Sequence, residues 1–282
     1  MNRQLKDNPT GCRSLTDPEV ARLRRAHPTL WANPHKTCLT CRHETKDSGA
    51  PRSFQARFDG QVVTYDCDCV AQWRLHRWML NAGIGIRYQR LSWFDADAVN
   101  VAAANEVVSY LDNAPGLVNQ GRGLTLWAQE TGTGKTMLSA LLLKGLLAEG
   151  YDGFFVQFNE MIDQFTAGWR SEEERGWFIK TIRNAGVLVV DDMGREHKGR
   201  AEVVEAMFDT VIRARVAASM PTLITTNYTP QEMLVGYGGN VLSLLSEVNS
   251  NVHVPGMDYR PKVALRADAD AKAGLSQPFV VA

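Results

Sequence analysis

The stretch "GLTLWAQETGTGKTMLSALLLKGLLAEG" at residues 123–150 constrains the fold of this chain more than any other segment. It opens with an apolar run of strand length and closes with an apolar run long enough to be a buried helix. Between them lie glycines, threonines and a lysine. A strand that passes through such a turn into a helix is the context in which the spacing G-x-x-x-x-G-K-[ST] has physical meaning. Backbone N–H groups between about Thr131 and Thr136 then converge at the positive end of the helix dipole, an arrangement that holds a phosphate. Gly132, Thr133 and Gly134 form the cradle, Lys135 reaches the outer phosphates of a nucleotide, and the Thr136 hydroxyl is placed on magnesium. Gln129 stands where this spacing expects its first glycine. We expect the loop to tolerate it, because the entry turn then needs only an ordinary negative φ while the glycines nearest the phosphate keep their freedom. The alternative reading is a glycine-rich turn without a ligand.

The runs "GFFVQF", "VLVVDD" and "PTLITTN" are further strands, and "EERGWFIKTIRNA" and "RAEVVEAMFDTVIRARVAA" are helical stretches between them. Such alternation predicts an α/β fold with a parallel sheet flanked by helices. The strand "VLVVDD" ends in two acids. Asp191 is placed to hold magnesium and Asp192 to polarise an attacking water. At the end of "TLITTN", Asn227 is placed to orient that water or to sense the γ-phosphate, although an Asn after a strand is also a common turn former.

Over roughly residues 100–265 the succession "TGTGKT", "VLVVDDMG", "TLITTN" and "DYR" resembles the P-loop AAA+ ATPase domain of DnaC-type replicative helicase loaders and the related IstB-type transposase helpers. The resemblance makes Lys135 and Thr136 the Walker A residues, Asp191 and Asp192 Walker B, Asn227 sensor 1 and Arg260 sensor 2. It implies an ATPase with ATP and Mg2+ as cofactors, self-association through the AAA+ domain, and ATP-dependent loading of a hexameric replicative helicase onto single-stranded DNA in DNA replication. A phage or mobile-element version is the expected origin. Alternatives are a transposase helper ATPase, or a nucleotide-switched adaptor with little hydrolysis. Loaders commonly carry an arginine finger about sixteen residues before the sensor 2 arginine. Leu244 stands there instead, which implies slow turnover or a residue from a partner, with Arg213 and Arg215 as candidate substitutes.

Charge is uneven along the chain. Residues 1–90 hold 15 Lys or Arg against 8 Asp or Glu, leaving 16 against 23 in the remainder, which suits contact with nucleic acid or an acidic partner. The opening "MNRQLKDNPTG" has no apolar segment of signal type, so a cytoplasmic protein with no membrane contact is expected. In that reducing setting Cys38 and Cys41 ("CLTC") and Cys67 and Cys69 ("CDC"), with twenty-five residues between the pairs, match a tetrahedral Zn2+ site. Between them "SFQARFDGQVVTY" alternates across Asp59-Gly60, a hairpin signal that brings the two pairs together in a zinc-ribbon-like module. Redox chemistry or unrelated buried thiols are the alternatives. The segment "CDCVAQWRLHRWMLNAGIGIRYQRLSW" resembles the junction in phage and bacterial loaders where a cysteine module passes into the ATPase, which favours the loader over the transposase helper.

The expected organisation is a flexible arm with a short helix at 1–30, a zinc-binding module at 31–80, a linker at 81–100, the AAA+ domain at 101–266 and a disordered tail at 267–282. Phe165, Trp169 and Arg170 lie where the resemblance puts single-stranded DNA contacts, although helix packing explains them equally well. Trp73, Trp78, Arg74 and Arg77 combine stacking and cationic chemistry, yet aromatics at helical spacing more often pack. Zinc in such a small module is a folding element, contributing roughly 10 to 16 kcal/mol in finger peptides. Elemental analysis of the purified chain is expected to find one zinc per molecule, and Cys38→Ser to lose it together with resistance of residues 31–80 to proteolysis.

Overall fold

The computed structural model describes residues 53–58, 61–66, 78–89, 91, 93–194, 201–237 and 239–272. All five cysteines, the arm at 1–30 and Trp73, Arg74 and Arg77 lie outside them. The predicted hairpin is present. Strands β1 (Ser53–Phe58) and β2 (Gln61–Asp66) pair antiparallel, from Ser53 opposite Asp66 to Phe58 opposite Gln61, which leaves a two-residue connection.

The larger unit is a five-stranded, all-parallel sheet. Its strands are β3 (Gly123–Trp127), β4 (Gly153–Gln157), β5 (Val187–Met193), β6 (Thr222–Thr226) and β7 (Asn249–His253), in the order β4-β5-β6-β3-β7. Strand β3 sits between β6 and β7, so the first strand of the unit lies inside the sheet and its carboxyl end faces the order reversal at which parallel sheets take ligands. Buried on both faces, the strands are continuous apolar runs rather than alternating ones, as Val187–Val190 and Leu223–Ile224 show.

Helices cover both faces. On one side lie α1 (Val101–Asp112), α2 (Ala114–Asn119) and α3 (Lys135–Ala148), whose side chains share a core with Leu124, Leu126, Phe155, Val187, Val189 and Leu223. On the other, α4 (Phe158–Ala167), α5 (Glu172–Phe178), α6 (Ala201–Ala217), α7 (Pro230–Gly236) and α8 (Gly239–Val248) enclose a second core around Leu188, Val190 and Ile224. Helix α3 has no solvent face over most of its length: Leu138 through Leu147 are buried without a break. A helix apolar all round must be sandwiched, and α3 lies between the sheet and α1.

Two boundaries differ from those expected of the sequence. Residues 78–99, read as the end of the small module and a linker, belong to the core: Trp78, Met79, Ala82, Ile84, Ala96 and Val99 are buried in the α3-side cluster. The Phe155 N–H donates to the Ala82 carbonyl (2.7 Å), so this segment runs along the edge of β4 and covers it. At the other end the chain stays helical past residue 266. Helix α9 spans Arg260–Lys272, because "RPKVALRADADAK" is rich in good helix formers even where it buries little.

Arg215 corrects a further expectation. It is completely buried, and its guanidinium donates to the carbonyls of Ile182, Arg183, Ala185 and Pro221 and to the Thr222 hydroxyl, which leaves it no reach as an arginine finger. Burial pulls its pKa down to about 9. Arg213 is exposed and paired with Asp209 at 2.7 Å, one helical turn away. Arg215 therefore fastens the end of α6 to the turn before β5. An ammonium cannot satisfy five acceptors, so Arg215→Lys is expected to cost about 2 to 4 kcal/mol of stability, measured by urea unfolding.

Candidate functional site

Three strand ends meet at one edge of the sheet because the strands are parallel and their helices all return to the opposite edge. Loop 128–134 follows β3, Asp191 and Asp192 close β5, and Asn227 follows β6. Trp127 is opposite Thr226, and the Ala128 N–H donates to the Thr226 carbonyl (3.3 Å), so Asn227 emerges beside the loop's entry.

The loop has the backbone its sequence demands. Gly132 and Gly134 adopt φ of +74° and +102°, a region costly for other residues. Gly134 is the N-cap of α3 and has no side chain to bond the N–H groups that open the helix. Gln129 does not need a positive φ. Its amide nitrogen instead lies 3.5 Å from a Glu232 carboxylate oxygen, and Glu232 with Thr229 forms a capping box on α7. The substitution at the first glycine thus becomes a link between the loop and the segment after β6.

Lys135 is buried and folds back on the loop, donating to the Glu130 carbonyl at 2.8 Å and the Ala128 carbonyl at 3.1 Å. Beside it the Thr136 hydroxyl lies near enough to the Asp191 carboxylate and the Tyr88 hydroxyl to favour the ionised form of each. Asp191 accepts from the Thr225 hydroxyl at 2.6 Å, and the same hydroxyl accepts the Asp192 N–H at 2.9 Å. Asp191 is only 4% exposed, and burial, opposed by these hydrogen bonds, pushes its carboxyl above the usual carboxylate range.

A β-bulge separates the two acids. The pairing of β5 with β6 shifts register between Val190 and Met193, and Asp192 takes φ of +59°. A non-glycine residue there costs roughly 1 kcal/mol or more and marks a place where structure is held against local preference. The bulge turns Asp192 out to a half-buried position while Asp191 remains inside.

Arg260 opens α9. Its side chain is 61% exposed, within 3.9 Å of Asp258 and within electrostatic reach of Tyr88. The structure therefore gathers Gly132, Thr133, Gly134, Lys135, Thr136, Asp191 and Asp192 at one edge, with Asn227 and Arg260 on its border. Cys38, Cys41, Cys67 and Cys69 lie outside the described residues, among which no group of three or more His, Cys, Asp or Glu is arranged for a metal.

Sequence reasoning missed four contributors. Thr225 carried a faint signal, a Thr on the strand that sheet order places beside the acids. Tyr88 lies in a segment whose sequence offered nothing to connect it to the site. Burial, then the nearby Asp191 charge, pushes its phenol up. Lys144 is fully buried and donates to the Gln89 carbonyl at 3.1 Å and to that of Leu91, fastening the Tyr88 segment to α3; desolvation lowers its pKa to about 8. Asp258 lies against Gly132. Of the proposed DNA contacts, Phe165 packs edge to face with Trp169 and Phe178, while Trp169 itself is 65% exposed.

No family model matches the chain. Over 116 residues, 40% of its length, the sequence is 26% identical to the replicative helicase loader DnaI of Bacillus subtilis (strain 168) and spans 36% of that relative. A crystal structure of the DnaC helicase loader matches with a TM-score of 0.54 at 26% identity, over 60% of this chain and 99% of that one. A crystal structure of DnaI matches with a TM-score of 0.52 over 61% of this chain and 95% of that one; at 18% identity it shows the shared fold.

The buried Asp191 has a stability consequence. Its folded carboxyl binds its proton more tightly than the unfolded one, so stability is greatest below the unfolded pKa and falls as pH rises through the folded one. Asp191→Asn removes the buried charge and keeps an acceptor for Thr225. It is expected to raise the melting temperature of the protein without ligand by a few degrees at pH 7, and to flatten its dependence on pH on the acid side, in calorimetric scans.

Proposed function

We infer that this chain, an AAA+ protein of the DnaC/DnaI helicase-loader type, binds ATP with magnesium and uses the bound nucleotide to load a hexameric replicative helicase onto single-stranded DNA. The observation that carries this reading is the junction of Thr136 with Asp191. A hydroxyl and a carboxylate lie side by side at the opening of a helix whose N-cap is a glycine, which is the donor set for a hard divalent cation next to an anion.

In this reading Gly132, Thr133 and Gly134 cradle the phosphates, and Lys135 exchanges its two loop carbonyls for phosphate oxygens. Thr136 and Asp191 hold magnesium, which supplies charge neutralisation of the phosphate chain. Asp192, held by its strained backbone, orients the attacking water, with Asn227 at the loop's entry and Arg260 sensing the outer phosphate. Tyr88 stands beside the Thr136 hydroxyl. The ionised form of Asp191 is costly in the empty site, so a cation there also recovers stability that burial removes.

Hydrolysis is slow in this reading. Leu244 is half-buried on α8 and Arg215 is consumed by structure, so a transition-state cation comes from the helicase or a second copy of the chain. The cysteine module would hold the helicase and, as a zinc site, fold independently of nucleotide. Trp169 and Arg170 provide an exposed aromatic and cationic surface for single-stranded DNA. A population shift toward an assembled, strand-gripping state follows from tighter binding of nucleotide to that state.

Titration with a fluorescent ATP analogue is expected to show magnesium-dependent binding that Lys135→Ala weakens about 100-fold or more. Copurification with replicative helicases is expected to identify one that the wild-type chain retains. Failure to bind adenine nucleotides would sink the reading of the site; binding without any helicase partner would leave a nucleotide switch with another client.

A further inference from the structure

The segment between β7 and α9 folds over the phosphate loop. The Val254 N–H donates to the Trp127 carbonyl (2.9 Å) and the Tyr259 N–H to the Gly132 carbonyl (3.1 Å), so the segment is hydrogen-bonded at both ends of the loop's first half. These contacts seat Asp258 on Gly132. A Cβ added at Gly132 would lie 1.9 Å from Asp258 Oδ1 and 2.4 Å from its Cγ, so the carboxylate rests directly on the glycine's α-carbon. A carboxylate here lies within one residue of the N–H groups meant for a phosphate.

The same side chain holds Arg260. Asp258 Oδ1 accepts the N–H of Arg260, the first residue of α9, at 2.9 Å, and Oδ2 lies 3.9 Å from the Arg260 guanidinium. The acid thus does two separable things: it caps a helix and it brings negative charge to the loop. We propose that Asp258 is a built-in anionic competitor for the phosphate loop, which opposes nucleotide binding by its charge and holds Arg260 until a phosphate displaces that contact.

The chemistry follows from the charges. Two anions at the mouth of one loop repel, and a unit charge a few ångströms from another alters affinity by about fivefold even at the dielectric of water. Asp258 is 43% exposed, so solvent screening limits the effect to that order rather than the far larger one of a dry site. A triphosphate carries enough charge to draw Arg260 away from a single carboxylate. Occupancy of the loop and release of Arg260 then become one event, and α9, which Arg260 opens, senses it directly. The coupling belongs to Gly132 as well: no side chain could stand between the acid and the loop at that position.

This inference rests on the reading of loop 128–134 as a nucleotide site, and the test separates the two. Affinity of the full chain for ATP with magnesium is measured by calorimetry for the wild type, Asp258→Asn and Asp258→Ala, at low and high salt. Asparagine caps a helix as well as aspartate does, so Asp258→Asn removes the charge alone, whereas Asp258→Ala removes the cap too. Asp258→Asn is expected to bind ATP about fivefold more tightly than the wild type with an unchanged melting temperature, and the gain is expected to shrink at high salt as screening removes the repulsion. Asp258→Ala is expected to keep the gain in affinity and lose thermal stability. Unchanged or weaker binding by a wild-type-stable Asp258→Asn would overturn the proposal and leave Asp258 as a helix cap. Absence of ATP binding by the wild type would instead overturn the reading of the site itself.

Discussion

Helix α3 is buried from Leu138 to Leu147, and that burial is the constraint on which the site depends. A helix gripped on one face by the sheet and on the other by α1 cannot slide or rotate without opening the core. Its amino terminus, and with it Lys135 and Thr136, is therefore held at a fixed place beyond the strand ends. Lys144 extends the same constraint outward: fully buried, it holds the Gln89 and Leu91 carbonyls and so draws Tyr88 to Thr136. A charge placed at such cost in the core fastens the segment before α1 to the helix that carries the phosphate loop.

The edge that results is held under tension by several independent features. Asp191 is buried with a carboxyl that favours its proton, Asp192 adopts a backbone conformation that asparagine or glycine would take more readily, and Lys135 satisfies itself on loop carbonyls. An acid sits against the glycine at the centre of the cradle. A cation relieves the buried charge of Asp191 and a phosphate can take over the donors of Lys135, whereas the acid on Gly132 opposes the anion until it is displaced. Energetic penalties that converge on a single edge are a stronger indication of a ligand than any one motif.

Much of this was legible in the sequence. The strands were apolar runs with polar ends, the loop had its glycines at the two positions with positive φ, and the two strands of the hairpin flank Asp59-Gly60 in the sequence. Arg215 was not legible, because an arginine on an amphipathic helix looks solvated until the turn before β5 is packed against it. Residues 78–99 were read as the end of the small module and a linker because their apolar residues are spread among glycines and charges; they pack together only when the edge of β4 is there to receive them. Helix α9 was cut short because a polar, alanine-rich stretch resembles a tail when nothing marks a buried face.

Local chemistry travels with the residues: which segments turn, which run straight, and which side chains can hold phosphate or metal. That much the sequence determined, since glycine dihedrals, apolar spacing and the donors of Lys, Thr and Asp do not depend on distant partners. Proximity is a different matter. That Thr225 would hold Asp191, that Tyr88 would reach Thr136 across 48 positions, and that Asp258 would settle on Gly132 were decided by the order of strands in the sheet and the crossings between them. Contacts between residues far apart in the chain arise from the packing of whole elements, and only the folded sheet makes them neighbours.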